Sequence, residues 1–293
     1  MSSLLHEICC FLLRVTLLPC FLREVYTRRR ITIVNYHDPQ PEVFERHIHL
    51  FSKIYSFIDI NSLTNALKTK DFSNLPPKPL LITFDDSYKG NAKLFRIIQK
   101  YRVPVVIYAV AGIVNTNRHF WFNAVPSIHT ELPKLLKVSD KQRRRRLNVH
   151  FSHYDNKEYK TRQALSLHEI REFLTINGTV GSHTIFHPIL NKCSDRVGFK
   201  ECINSKKIIE ALTGKPVLHF AYPGGSKDER TFKWLKFAGY RTARTIEPGW
   251  VTTATDPLAL PNFPISDDAG INKAIVQTSG LWGIMKKSLG LTP

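Results

Sequence analysis

Short apolar runs alternate along most of the chain with longer stretches in which apolar residues recur at helical spacing. Apolar runs of this kind, opened by Pro or Gly turns, are typical of strands buried in a parallel sheet. The alternation predicts βαβ units and therefore an α/β fold. Strands are predicted near 31–36, 80–85, 104–110, 179–183, 217–222, 239–243 and 258–261. Helices are predicted near 41–54, 62–69, 89–101, 166–176, 196–213 and 228–238.

The length of the chain bounds the number of domains. Its 293 residues contain no internal repeat and no long Gly/Ser linker, so they fit one large α/β domain with a sizeable core. Active sites of barrels built from βα units lie at the carboxyl ends of the strands. Polar residues that directly follow a predicted strand are therefore the first functional candidates.

Two adjacent carboxylates follow the apolar run that ends at Phe84, in the segment Thr83-Phe84-Asp85-Asp86-Ser87. Two neighbouring carboxylates cannot both be buried without a partner. A metal ion bound by one of them would resolve the conflict and lower the pKa of the other. A solvated turn that caps the next helix explains the pair equally well when it is considered alone.

Two histidines, His183 and His187, are spaced four residues apart after a predicted short strand. If this segment is helical, both side chains face the same way and can share a metal ion. The alternative is one core histidine and one surface histidine. In combination with the two carboxylates, the spacing predicts a divalent metal site of the kind that metal-assisted hydrolysis requires.

A third segment, Phe220-Ala221-Tyr222-Pro223-Gly224-Gly225, combines an apolar strand with a Pro-Gly-Gly turn. Glycines allow the backbone to approach a ligand closely and to present free N–H groups. Such an amide could stabilise the oxyanion of a tetrahedral intermediate. An ordinary strand-to-loop turn is the simpler interpretation of this segment by itself.

These three segments, in this order, resemble the motifs of the polysaccharide deacetylase family, also called carbohydrate esterase family 4. Its first motif is Thr-Phe-Asp-Asp-Gly, and here Ser87 replaces the Gly. Its second is His-Ser/Thr-x-x-His, which matches 183–187, and its third is a strand that ends in a Pro turn, which matches 222–224. The resemblance runs from about residue 31 to about 265 and implies a distorted, incomplete (β/α) barrel.

The resemblance also implies a role for each residue. Asp85 corresponds to the general base that activates water at the metal. Asp86, His183 and His187 correspond to the protein ligands of one divalent ion. The oxyanion- and substrate-binding turn is Tyr222, Pro223 and Gly224, with the Gly224 amide as the oxyanion donor. A site of one carboxylate and two imidazoles suits zinc, and cobalt or nickel are alternatives.

The general acid departs from the family pattern. The usual late Leu-x-His is missing, because Asn262, Phe263 and Pro264 follow Pro261. Some members carry this histidine in a Tyr-His at the end of the first strand, which corresponds here to His37. We therefore expect His37 to donate a proton to the leaving amine; a buried structural histidine bonded to Asp38 or to a carbonyl is the alternative.

The arginine that often orients the base is also missing from its usual place. Position 221, in the third motif, is Ala, and Asn262 stands where relatives usually carry Arg after a Leu-Pro. Arg241 or Arg244 is the candidate replacement.

Residues 115–165 interrupt the alternation of strands and helices. They carry eleven Lys/Arg against four Asp/Glu, including four consecutive arginines at 143–146, and the aromatic pair Trp121 and Phe122. We interpret this segment as a basic insertion over the mouth of the barrel, where it could act as a lid that grips the substrate. A solvated helical excursion is the alternative.

The net charge of +18 points to an anionic partner. No nucleic-acid-binding motif is present, so nucleic acid is not expected, and an anionic membrane surface is the favoured partner. Apolar residues recur at helical spacing over 4–18, and Arg28, Arg29 and Arg30 follow. A helix over 4–18 would span only ~22 Å, short of the ~30 Å hydrocarbon core, so an amphipathic anchor in the plane of the membrane is predicted. The alternative is that both ends of the chain simply pack on the barrel.

The five cysteines, Cys9, Cys10, Cys20, Cys193 and Cys202, are odd in number and are not spaced as a zinc site. They indicate a reducing compartment. The expected location is therefore cytoplasmic, or peripheral on the cytoplasmic face of the membrane.

Together these observations predict an amphipathic segment over 1–30, a deacetylase-like catalytic barrel over 31–270 with the insertion near 115–165, and a C-terminal tail over 271–293. The predicted activity is metal-dependent removal of N-acetyl groups from an N-acetylated sugar of a glycan or of a lipid-linked sugar. The alternative is a catalytically inactive carbohydrate- or membrane-binding protein of the same fold. A glycosidase is disfavoured, because adjacent carboxylates rarely reach the separation that such enzymes need.

Overall fold

The computed structural model describes residues 3–123, 131–150 and 157–290. Parts of the predicted basic insertion, at 124–130 and 151–156, and the chain ends, at 1–2 and 291–293, lie outside the described residues. The strands are β1 (Thr32–Tyr36), β2 (Ser56–Phe57), β3 (Pro79–Phe84), β4 (Val105–Ala109), β5 (Gly178–Ser182), β6 (His219–Ala221), β7 (Thr242–Arg244) and β8 (Phe263–Pro264). The helices are α1 (Ser3–Val15), α2 (Leu18–Phe21), α3 (Pro41–Ile54), α4 (Ile60–Thr69), α5 (Phe95–Tyr101), α6 (Leu132–Lys137), α7 (Asp140–His150), α8 (Leu167–Thr175), α9 (Asp195–Thr213), α10 (Glu229–Ala238), α11 (Ile271–Thr278) and α12 (Leu281–Ser288). A π-helical turn at Leu22–Tyr26 directly follows α2. Short 3₁₀ helices occur at Lys89–Leu94, Leu190–Lys192, Pro223–Gly225 and Pro257–Ala259.

The strands within the described residues form one parallel sheet in the order β7-β6-β5-β4-β3-β1-β8, with β2 beside β3. The segment 260–264 contacts both edges of this sheet. Leu260 bridges Arg244 on β7, and Phe263 pairs with Val34 on β1. The sheet therefore curls into a distorted, incomplete (β/α) barrel, and the predicted fold class is confirmed.

Alternate residues of each strand face the two sides of the sheet. Leu81 and Val106 belong to a cluster inside the barrel, whereas their neighbours Leu80, Ile82 and Val105 belong to the larger cluster under the outer helices. Both sides are apolar because helices or the barrel interior cover them, which is why these strands read as continuous apolar runs.

Most predicted elements agree with the structure to within a few residues, but the strand predicted at 258–261 is wrong. Residues Pro257–Ala259 form a 3₁₀ turn, in which the Asp256 side chain accepts a hydrogen bond from the backbone N–H of Leu258 at 2.8 Å. Pro257 and Pro261 lack the N–H groups that a ladder requires. The strand forms two residues further on, at Phe263–Pro264.

The first and last described helices, α1 and α12, both pack against α11. One face of α1 contacts α11, where Cys10 and Leu13 join Val276 and Leu281 in an apolar cluster. Within the part of the chain that the structure describes, no helix is long and apolar enough to cross a membrane.

Candidate active site

The carboxyl ends of β1, β3, β5 and β6 meet at one end of the barrel. The residues that follow these strands surround a cavity of about 600 Å³. Its lining includes seven of the predicted site residues, namely His37, Asp85, Asp86, His183, His187, Tyr222 and Gly224. The structure thus brings together residues that lie up to 187 positions apart in the sequence.

Asp86, His183 and His187 converge on one point of this cavity. Oδ1 of Asp86 lies 3.7 Å from Nε2 of His183 and 3.6 Å from Nε2 of His187. These distances are too long for hydrogen bonds. Among the described residues, this buried carboxylate oxygen has no hydrogen-bond partner. Three ligand atoms within 4.8 Å of one another, one of them an unpaired buried oxygen, fit a shared cation.

The orientation of His183 is fixed by the neighbouring strand. Its Nδ1 lies 2.8 Å from the carbonyl oxygen of Ala221 and donates a hydrogen bond to it. The Nε2 lone pair is therefore free to face Asp86. A backbone carbonyl on the far nitrogen is the usual support for a metal-binding histidine.

The second histidine reaches the cluster through a loop, and the helix considered for 183–187 is wrong. Thr184 and His187 have φ of 68° and 54°, in the left-handed region that few non-glycine residues adopt. The hydroxyl of Thr184 accepts a hydrogen bond from the backbone N–H of His187 at 2.9 Å. This local turn, and not a helical repeat, places both imidazoles on the same side.

Burial prepares the three side chains for a cation. It raises the pKa of Asp86 to about 7, because the carboxylate is removed from water. It lowers the pKa of His183 to about 4 and that of His187 well below its usual value. Two neutral imidazoles and a carboxylate without a counter-charge are the donor set that a divalent metal would complete.

The neighbouring carboxylate of Asp85 has a different environment. Its Oδ1 contacts the buried guanidinium of Arg244, and Asn35 donates to its Oδ2 at 3.4 Å. Burial favours the neutral acid, but the charge of the Arg244 guanidinium and its hydrogen bond outweigh burial and hold the pKa of Asp85 at about 2. The pKa values of the two adjacent carboxylates thus shift in opposite directions, that of Asp85 below and that of Asp86 above the usual range.

Arg244, one of the two candidate replacements for the missing arginine, is the residue that contacts Asp85. Ala221 on β6 pairs directly with Arg244 on β7, so the guanidinium comes from the adjacent strand at the same height in the sheet. Arg241, the other candidate, is exposed. The Asn262 carboxamide contacts that of Asn35. In the amide orientation that satisfies its neighbours, Asn262 accepts from Nη1 of Arg244 at 2.8 Å and donates to the carbonyl of Thr245 at 2.9 Å.

The substitution of Ser for the family's Gly at position 87 also has a visible consequence. Asp86 and Ser87 both adopt left-handed φ, of 65° and 58°. This explains why the motif favours glycine there. Ser87 is fully buried, and its hydroxyl donates to the carbonyl of Asp86.

The histidine loop is held from outside the barrel by Glu201 of α9 and by Trp121. Oε2 of Glu201 accepts from the backbone N–H groups of Ile185 and Phe186, at 2.8 and 3.0 Å. The indole N–H of Trp121 donates to the carbonyl of His187 at 2.9 Å. Both contacts act on the backbone that carries His187.

Arginines of the basic insertion support these two contacts. The Arg143 guanidinium is buried, pairs with Asp140 and lies 4.5 Å from the Trp121 ring centroid. Arg144 bonds to Asp140 at 2.7 Å and to Glu201 at 3.4 Å. These two arginines therefore anchor α7 to the wall of the site, whereas Arg145 and Arg146 are exposed.

His37 lies at the cavity and is exposed, so the alternative of a buried histidine is wrong. Its backbone is well fixed. The N–H of His37 donates to Asp267 at 3.0 Å, and the Asn91 side chain donates to the His37 carbonyl at 2.8 Å. Its imidazole is therefore on a rigid strand end in contact with the cavity.

The third motif contributes two cavity residues and one supporting residue. Tyr222 and Gly224 line the cavity, whereas Pro223 is buried at the start of the turn. The Tyr222 hydroxyl donates to the carbonyl of Leu258 at 3.0 Å, so it holds the barrel together. Gly224 has a φ of 58°, which favours glycine at this position.

Sequence reasoning missed Asn35, Glu201 and Asp267, and it gave Trp121 no contact with a predicted ligand. Asn35 carried a usable signal, because it is a polar residue inside an apolar strand two positions before His37. Glu201 and Asp267 had none. Their partners lie in distant loops, and only the folded chain shows that these loops are adjacent.

The family model for polysaccharide deacetylases matches residues 73–243, which is more than half of the chain. The chain belongs to the polysaccharide deacetylase family. Membership supports a hydrolase that deacetylates sugars in general, and members of this family generally depend on a metal.

One curated relative of the chain, the putative polysaccharide deacetylase YxkH of Bacillus subtilis (strain 168), carries the family's name. It is 22% identical over 190 residues, which cover 64% of this chain and 52% of YxkH. The aligned region thus spans about half the length of that relative.

Solved structures with the same fold include the deacetylase PplD of Streptococcus pyogenes, in complex with acetate. The TM-score is 0.63 at 18% identity, and the match covers 86% of this chain and 99% of PplD. IcaB from Ammonifex degensii matches with a TM-score of 0.61 at 15% identity, over 86% of this chain and 97% of IcaB. At these identities the likeness establishes the fold.

Proposed function

We propose that this protein is a metal-dependent hydrolase that removes N-acetyl groups from an N-acetylated sugar of a glycan or glycolipid. The observation that carries the proposal is the pair of adjacent carboxylates. Asp86 faces two neutral imidazoles, while Asp85 is ionised beside Arg244, in one cavity. Two consecutive residues would thus have different roles, Asp86 as a metal ligand and Asp85 as a base.

The proposed metal ligands are Asp86, His183 and His187, and the fitting ions are zinc, cobalt and nickel. A bound ion of this kind would polarise the amide carbonyl and make water more acidic. The surrounding protein must keep both imidazoles neutral and oriented with one ring nitrogen towards the ion. Burial and the Ala221 carbonyl support this for His183.

Asp85 is the proposed general base. It would take a proton from the water that attacks the acetyl carbonyl, and the C–N bond would then break to release acetate. Arg244 keeps the Asp85 carboxylate ionised and fixes its orientation. The Gly224 amide is the proposed donor to the oxyanion, and His37 would return a proton to the leaving nitrogen, so that the products are acetate and a sugar amine.

The inactive alternative receives less support from this site. Its main argument was the missing base-orienting arginine at position 221. Arg244, from the partner position on β7, supplies an equivalent contact to Asp85. A peripheral location on the cytoplasmic face of a membrane remains part of the proposal.

Acetate release from a panel of N-acetylated glycans, measured with and without a chelator, tests the proposed function. We expect chelation to abolish release, and zinc, cobalt or nickel to restore it. Full activity in metal-free protein would contradict metal dependence. Metal-loaded protein that releases no acetate from any member of the panel would support the inactive alternative.

A further inference from the structure

Exposed apolar side chains are concentrated at the amino-terminal end of the described chain. Of twelve large apolar side chains that are exposed in the described residues, nine lie between positions 8 and 26. We call these nine the N-terminal surface: Ile8, Phe11, Leu12, Val15, Leu17, Leu18, Phe21, Val25 and Tyr26. Apolar surfaces of this extent mark interaction sites.

Poor packing of α1 does not explain this exposure. The opposite face of α1 carries Cys10 and Leu13, which pack against Val276 and Leu281. Arg14 additionally bonds to Asn272 of α11 at 2.8 Å. The helix is therefore apolar on both faces, and one face is already used by the fold.

The turn between α1 and α2 presents a leucine in an unfavourable conformation. Leu17 has a φ of 59° and is 69% exposed, although polar residues and glycine are the usual occupants of such a position. A bulky apolar residue that neither packs on the fold nor suits the turn points to a partner outside the chain.

Basic residues surround the N-terminal surface. Residues 1–30 hold five arginines and two glutamates, a net charge of +3. Glu24, one of these acids, is paired with Arg23 and Lys78. Arg28 and Arg29 are exposed beyond the apolar residues, as are Lys286 and Lys287 at the end of α12, which packs on α11.

We infer that the N-terminal surface docks on an anionic lipid bilayer, with α1 and α2 lying in the plane of the interface. An apolar face with flanking cations is the pattern of helices that bind such interfaces. A thirteen-residue α1 extends only ~20 Å, less than the hydrocarbon core requires. A second copy of this chain fits less well, because a twofold contact would bring the same arginines together.

The N-terminal surface and the cavity lie on opposite sides of the packed helices α1 and α12. Trp282, Gly283 and Lys286 of α12 line the cavity, whereas Leu281 and Met285 of the same helix contact the α1 cluster. Two packed helices, α1 and α12, each ~10 Å across, therefore separate the bilayer contact from the cavity. On this basis, and resting on the proposed function, the substrate is an N-acetylated sugar carried by a membrane lipid.

Co-sedimentation of the full chain with vesicles tests the docking. Vesicles of phosphatidylcholine alone are compared with vesicles that contain phosphatidylserine. We expect binding to the anionic vesicles, and a loss of about tenfold or more in Phe11→Ser/Leu12→Ser. Phe237→Ser is the matched control, because Phe237 is 74% exposed on α10, outside the N-terminal surface. This variant should bind the vesicles as the wild type does.

A second variant covers the case in which the double variant misfolds by circular dichroism. Arg28→Gln/Arg29→Gln leaves α1 intact and should lose about tenfold of the preference for phosphatidylserine. Unchanged binding in well-folded variants would overturn the inference. So would a wild-type chain that ignores anionic vesicles, or one that forms a dimer through the same residues in sedimentation velocity without binding vesicles.

The substrate is tested separately with an N-acetylglucosamine lipid embedded in anionic vesicles and a soluble N-acetylated glycan. We expect Phe11→Ser/Leu12→Ser to lose acetate release from the embedded lipid at least tenfold while keeping release from the soluble substrate. Equal losses on both would overturn the link between docking and substrate. Acetate release from neither substrate by the wild type would contradict the proposed function and leave vesicle binding as an independent result.

Discussion

At the scale of single residues, the difference in pKa between Asp85 and Asp86 depends on which arginine contacts Asp85. Sequence motifs identified both carboxylates, His183 and His187, because the spacing of these residues is local. The motifs did not determine whether Arg241 or Arg244 contacts Asp85. The choice depends on register, since a shift by one residue turns a strand side chain to the other face. The pairing of Ala221 with Arg244 decides it.

Replacement of Arg244 by Gln should raise the pKa of Asp85, because burial then acts without the opposing guanidinium. Since Asp85 must be ionised to act, and in the wild type its pKa is about 2, the acid limb of activity should move to higher pH. Loss of one partner of a buried ion pair should also destabilise the fold by about 3–5 kcal/mol.

A pH profile of acetate release at saturating metal, together with urea unfolding, measures both effects. Arg241→Gln is the control, because Arg241 is exposed and three residues away. An unshifted acid limb in Arg244→Gln would show that Arg244 does not control the base.

At the scale of elements, the insertion contributes to the site by bracing the loop that carries His187. Regular strands and amphipathic helices were predictable because their periodicity is in the sequence. The insertion was not, since α7 carries a charged run of arginines that predicts solvent exposure. Trp121 beneath Arg143, and Asp140 beside it, make burial of one of these arginines favourable.

Trp121→Phe should weaken metal binding about 10-fold or more, because it removes the N–H that holds the His187 carbonyl while it keeps an aromatic ring. The matched control is Trp234→Phe, at a buried tryptophan of α10 outside the cavity lining. Calorimetric titration of zinc into both metal-free variants provides the measurement. Equal zinc affinity in the two variants would mean that the hydrogen bond from Trp121 to the His187 carbonyl does not support metal binding.

At the scale of the whole molecule, the first and last described helices, α1 and α12, belong to the packed structure. The sequence predicted an amphipathic anchor over 1–30 and a tail over 271–293. The structure places α1 on α11 and α12, and Glu24 on Lys78 at 3.0 Å. Hydrophobic periodicity indicated the first helix. It could not indicate that one face of this helix packs on α11, because that partner is remote in sequence.

Deletion of residues 1–28 should therefore lower the thermal midpoint of unfolding by several degrees and increase the binding of a hydrophobic dye. It exposes Val276 and Leu281 and removes the partner of Lys78. Scanning calorimetry of the deletion variant beside Phe11→Ser/Leu12→Ser separates packing from docking, because the latter alters only exposed side chains. An unchanged midpoint in the deletion variant would show that the segment is separable from the barrel.

The central claim is that two consecutive carboxylates have different roles, Asp86 as a metal ligand and Asp85 as a base. The same isosteric change at both positions tests it most directly, with zinc content and acetate release measured on each purified variant. We predict that Asp86→Asn loses the metal. Asp85→Asn should retain it while turnover falls by ~10²–10⁴-fold. Equal zinc content in the two variants, or wild-type turnover in Asp85→Asn, would contradict the account.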